Sequence, residues 1–261
     1  SQASAAPSFD GSGAGISGQA GRGSVNLTVT NTDTVLDIST SAFIDVSTDG
    51  VVAPLSGNSV SVVVNNVGLS GGLFINGTLG IDTTSGGGAG TGLTQAGSVL
   101  LQATDGQIFA NLLDISARAS KTGRNFFSAG SGQDFQGGDV TLQANTGGLM
   151  SFGFAFIDTN ATGAAQTGGD AIGGSITLEA AEGAINFESF ANLNARASGG
   201  SGIDPADGSA AIAQGGDITL AVSGAGGSMN LADISFAADA SIQFDEETGP
   251  SDFSGNGGTA M

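Results

Sequence analysis

The sequence contains no cysteine, histidine, tryptophan or tyrosine. Without cysteine there is no disulfide staple and no thiolate metal site. Without histidine there is no Ser-His-Asp triad, no common proton shuttle and none of the most frequent metal ligand. Missing Trp and Tyr removes the aromatics that most often anchor interfaces. Proline is scarce at 4 residues, and 5 Lys plus Arg stand against 24 Asp plus Glu, for a formal charge of −19. That balance excludes nucleic acid and anionic membrane surfaces as partners, because both are held by clustered cations. No apolar run is long enough for a membrane span, and no secretory leader opens the chain.

What is present is glycine, 47 of 261 residues, without a collagen triplet. These glycines serve turns and close backbone packing. Between them Val, Ile, Leu, Phe and Ala alternate too regularly for a disordered chain. No shift in composition divides the sequence, so residues 1–261 read as one domain.

The stretch from Ser175 to Gly216 shows the unit. An alternating strand (Ile176, Leu178, Ala180) meets a turn at Glu182-Gly183. A second strand holds Ile185 and Phe187, and a third holds Leu193, Ala195 and Ala197. Six copies begin at Ser24, Ser59, Ser98, Asp139, Ser175 and Asp217, 35 to 42 residues apart. Aligned, the opening strands give three apolar columns. One runs Val25, Val60, Val99, Val140, Ile176, Ile218; the next Leu27, Val62, Leu101, Leu142, Leu178, Leu220. The last runs Val29, Val64, Ala103, Ala144, Ala180, Val222. The second strands hold Leu36/Ile38, Leu73/Ile75, Ile108/Ala110, Met150/Phe152, Ile185/Phe187 and Met229/Leu231. The third hold Ile44/Val46, Leu79/Ile81, Ile115/Ala117, Ile157/Thr159, Leu193/Ala195 and Ile234/Phe236.

Three short strands recurring in one order predict an all-β fold, a parallel β-helix or solenoid of about six coils. Stacking at ~4.8 Å buries faces that no coil buries alone and makes a column roughly 29 Å tall. Right-handed crossovers are the general preference. Glycine-rich loops such as 120–138 and 198–216 recur once per coil and should form a ridge on one side. Leu55, Leu93, Phe135, Ile172, Ile212 and Phe253, shortly before each next strand, are expected to tuck inward as plugs. The chain begins and stops in mid-repeat, so it reads as a fragment of a longer array, which explains the missing leader and missing polar caps.

The pattern GG-[SD]-[VI]-T-L-x-A … G-x-[IL]-x-[FL] … [IL]-x-A-x-A, over Ser24 to Gly258, resembles the repeat regions of filamentous-haemagglutinin-like exoproteins and autotransporter-type bacterial surface proteins. The resemblance implies a secreted, right-handed β-helical shaft at the bacterial cell surface that serves adhesion, self-assembly or coating. An N-terminal secretion domain with an Asn-Pro-Asn-Gly-type motif is absent.

Candidate chemistry is thin. The cations are Arg22, Arg118, Lys121, Arg124 and Arg196. Arg118 and Arg196 fall at outward positions between alanines and read as solvated. A paired-carboxylate glycosidase survives on composition, but the acids look scattered through loops. Gly199 to Asp204 (GGSGID) matches the start of a calcium-binding nonapeptide, with Asp204, Asp207, Asp245, Glu246 and Glu247 as oxygen donors; Gly130 to Asp134 is a looser match. Such sites need tandem copies, so turn-forming glycine with a solubilising Asp is preferred. Gly86-Gly87-Gly88 lacks the Lys of a phosphate loop, and the Asn26, Asn76 and Asn160 sequons depend on a glycosylating export path. The fifteen phenylalanines read as core filler, Phe126-Phe127 excepted. The expectation is therefore no catalytic, cofactor or metal residues. The leading function is a structural segment of a secreted surface fibre whose partners are copies of itself or adjacent repeats. The alternative is an adhesin that binds host cells or glycans through its loop ridge; an enzyme acting on polysaccharides ranks third.

Overall fold

Alternating apolar residues make half-buried strands, and glycine turns end each after a few residues. The computed structural model describes residues 23–50, 55–65, 67–68, 70–87, 92–121, 134–163, 169–200, 211–242 and 254–256. Strands are the regular elements there, and they pair in parallel. The chain is a parallel β-helix of six coils, each passing through four sheets in turn.

The opening sheet stacks Val25–Thr30, Val60–Asn65, Val99–Thr104, Val140–Ala144, Ile176–Ala181 and Ile218–Ser223. Its register reproduces all three apolar columns, from Val25 opposite Val60 to Ile176 opposite Ile218. Inward members of the interior coils are fully buried: Val62, Leu101, Leu142 and Leu178 are 0% exposed. The outward residues between them form polar rungs, such as Gln143 Nε2 donating to Glu179 Oε2 at 3.1 Å.

The second and third strands are not separate sheets. In the interior coils they run on as Gly72–Asp82, Gln107–Ser116, Leu149–Asp158 and Ala184–Asn194, bent part-way along. At the bend Asn76 and Gly77 oppose Asn111, and Glu188 and Ser189 oppose Gly153, so coils two and five carry an extra residue. Such bulges bend a strand without ending it. Two members of the expected third columns are displaced by two residues. Ile81, not Leu79, lies opposite Ile44 and Ile115, and Phe236, not Ile234, lies opposite Leu193. A slip of two residues keeps the same face, which is why the pattern alone did not expose it.

The remaining two sheets are narrow. One joins Thr48–Gly50, Ser85–Gly87, Ala119–Lys121, Ala161–Thr162, Ala197–Gly199 and Ala240–Ile242. The other joins Leu55–Ser56, Thr94–Gln95, Phe135–Gln136, Ala171–Ile172, Ile212–Gln214 and Ser254–Asn256. Between them lies a second small core of Ala96, Ala119, Ala161, Ala171, Ala197 and Ala213 around Phe135. The plug expectation holds for Phe135 and fails for its neighbours. Leu93, Ile172 and Ile212 are 38%, 36% and 42% exposed. In register with Phe135 stand Thr94, Ala171 and Ala213, one residue away from the expected plugs, so alternation turns the larger side chains outward. The side chains of Leu55 and Phe253 lie outside the described residues.

The glycine before the opening strands of coils three to six has a packing reason. A Cβ on Gly97 would fall inside the carbonyl oxygen of Asn58, on Gly138 inside that of Gly97, on Gly174 inside that of Gly138, and on Gly216 inside that of Gly174. Successive coils approach too closely here for any side chain.

Candidate surface groove

The outer face of the long sheet, beyond its bend, carries two axial rows. One is Phe43, Gly80, Asp114, Phe156 and Asn192; the other is Asp45, Asp82, Ser116, Asp158 and Asn194. Parallel in-register pairing puts each residue one coil above its equivalent, so residues far apart in sequence share one surface. Two open grooves of about 280 and 420 Å³ lie along these rows and share Asp114, Ser116 and Arg118.

Three of the four aspartates are tied locally. Asp45 Oδ1 accepts from Ser47 N at 2.9 Å, Asp82 Oδ1 from Thr84 N at 2.9 Å, and Asp158 Oδ1 from Asn160 N at 3.0 Å. These are corner turns, in which a short carboxylate satisfies a backbone N–H two residues on. Arg118 Nε donates to Ser116 Oγ at 2.9 Å and lies 3.8 Å from Asp158 Oδ2. The Arg118 side chain is 53% exposed, so this pair adds little to stability. Arg196 pairs with Asp239 at 2.6 Å across exposed side chains, and its backbone N donates to Asn160 Oδ1 at 2.7 Å. Both arginines face outward as expected, each with a carboxylate partner.

Burial pushes the Asp158 carboxyl above the ordinary aspartate range. The Asn160 N–H, Arg118 and Arg196 pull it down, and Asp114 adds to the upward push. The folded chain therefore holds this proton more tightly than the unfolded chain. That contribution to stability is present at low pH and is lost as pH rises through the folded-state pKa. Asp158→Asn, which cannot ionise, is expected to raise the melting temperature near pH 7 and to leave it almost unchanged near pH 3. Equal shifts at both pH values would contradict this account.

Aromatic rings border the charged rows. Phe154 and Phe156 are 48% and 41% exposed, and Phe156 stands 6.0 Å from Phe190 at 54° between ring planes. Phe43 is 75% exposed and lies over Gly80, where a Cβ would strike its ring. The core-filler reading thus holds for Phe135, Phe152 and Phe187 and not for these. The acids are also less scattered than their sequence positions suggest, since Asp45, Asp82, Asp114 and Asp158 gather on one face.

No family model matches the chain, and neither does any curated protein or solved structure. Function therefore rests on this surface and on the coil stack. Among the described residues no three His, Cys, Asp or Glu side chains converge as a metal site, and no helix is long and apolar enough to cross a membrane. The calcium candidates Asp204, Asp207, Asp245, Glu246 and Glu247 lie outside the described residues, as do Phe126-Phe127 and most of loops 120–138 and 198–216. Of the sequons, Asn26 and Asn76 are exposed, whereas Asn160 is half-buried with its side-chain oxygen occupied by Arg196 N.

Proposed function

We propose that this chain is a structural segment of a secreted bacterial surface fibre, a shaft that assembles with neighbouring repeats or further copies. The observation that carries the reading is the unbroken register of the opening sheet through six coils. Each coil passes its strand edge to the next, so stiffness comes from ladder hydrogen bonds and stacked aliphatics rather than from any one residue. The repeat pattern's resemblance to filamentous-haemagglutinin-like proteins supports the extracellular setting. Immunogold labelling of cells that make the parent protein is expected to mark thin fibres outside the cell. Label confined to the cytoplasm would overturn the proposal.

A second reading, an adhesin that binds glycans, draws support from a specific observation. Exposed Phe156 stands beside Asp114, Asn192 and Arg118 in an open groove. On this reading the contact surface is the outer face of the long sheet, where the sequence pointed to the loop ridge.

A further inference from the structure

We infer that the groove beside Phe156 is a binding subsite for a neutral oligosaccharide, with the Phe156 ring as a stacking platform and Asp114, Asn192 and Arg118 as hydroxyl partners. The inference rests on the adhesin reading and names its ligand class.

The groove's chemistry is mixed. Phe156 offers an apolar ring face suited to the C–H face of a sugar ring. Around it stand a carboxylate acceptor at Asp114, an amide with both donor and acceptor at Asn192, and a guanidinium at Arg118. A few convergent polar groups around an apolar surface are what a small-ligand site requires. One further group asks for a partner. Asn194, on the same wall, has its Oδ1 buried without a hydrogen bond. That oxygen is out of contact with solvent, so it would meet a ligand hydroxyl only once the Asn194 side chain turns toward the groove.

Other occupants fit less well. An extended peptide gains most of its affinity by pairing with a free strand edge. Here the floor is a sheet face whose strands are already paired on both sides, Leu149–Asp158 with Gln107–Ser116 and Ala184–Asn194. Nucleic acids and anionic glycans meet a chain of formal charge −19. Locally the groove beside Phe156 holds two carboxylates, Asp114 and Asp158, and one cation, Arg118, so an anionic ligand meets a net negative wall there too. A chain of uncharged sugars is the class that wall suits.

The test is calorimetric titration of the whole chain with cellohexaose, maltohexaose and xylohexaose, and with hexagalacturonate as the anionic comparison. Wild type is expected to bind at least one neutral hexasaccharide and to bind hexagalacturonate at least tenfold more weakly. Phe156→Ala should weaken neutral binding at least tenfold, and Asp114→Asn severalfold. Both residues are exposed, so melting temperature should barely move, and a melt confirms that each variant is folded. Neutral binding undiminished in both variants would overturn the groove and leave the adhesin reading standing. No binding of any neutral hexasaccharide at millimolar concentration overturns the groove assignment, and silence toward hexagalacturonate as well removes the glycan reading with it. Preference for hexagalacturonate refutes the neutral class.

Discussion

Gly174→Ala is expected to cost about 3 kcal/mol of stability, the upper end for overpacking, enough to shift a urea midpoint strongly. Elsewhere an alanine in place of glycine gains about 0.4–1 kcal/mol by restricting the unfolded chain. At Gly174 the sign reverses, because the new Cβ occupies the space of the Gly138 carbonyl oxygen and both backbones would have to move. That oxygen belongs to a neighbouring coil held in register on both sides, so the strain spreads rather than relaxing locally. Gly23→Ala is the matched control. Its Cβ would meet nothing within 4 Å, and neutral to slightly raised stability is expected. If Gly174→Ala lost less than about 1 kcal/mol, the close approach of the coils would not be the reason for these glycines.

Phe152→Ala is the second large effect, about 3–5 kcal/mol. Phe152 is fully buried in the long sheet's inner column, with Phe187 6.0 Å away at 31° on one side and Ala110 on the other. Coils at fixed spacing cannot close over a missing ring, so a cavity remains. Phe152→Leu keeps most of the volume and should cost less than about 1.5 kcal/mol. Equal losses for the two substitutions would mean that the column is plastic and that volume is not what it requires.

The repeat columns show which parts of this architecture a sequence discloses. Opening strands alternate without interruption, so Val25 through Ile218 could be aligned by eye, and coordinates reproduce every position. The long sheet was harder to read because its bend breaks the alternation. Phe152 points inward, yet beyond the bend it is Ala155 and Ile157 that are buried, while Phe154 and Phe156 are exposed. Strict period two would have put all three phenylalanines in one core. The groove was hidden for the same reason, since its aromatic wall exists only because parity changes at Gly153. Its acids come from four coils, and Asp45 and Asp158 have nothing between them in sequence to suggest they lie near one another. In the narrow closing sheets two or three residues per coil are too few to reveal a phase, which is how Leu93, Ile172 and Ile212 came to be assigned inward. Asp134 and Asp170, in that region, sit on a rung where Asp134 Oδ1 accepts from Asp170 N at 3.1 Å and Asp170 Oδ1 from Ile212 N at 2.7 Å. No local motif announces such a link between coils.

Glycine stacked on glycine at one corner has a consequence for how such a chain can change length. Because the third to sixth coils are entered through the same side-chain-free joint, at Gly97, Gly138, Gly174 and Gly216, excising Asp139 to Gly174 would seat Ser175 directly after Gly138 and present the same contacts to either neighbour. Whole coils are then the units most readily inserted or lost, while a change of one residue inside a coil is absorbed only where a bulge can take it up, as at Asn76 and Gly77 or Glu188 and Ser189.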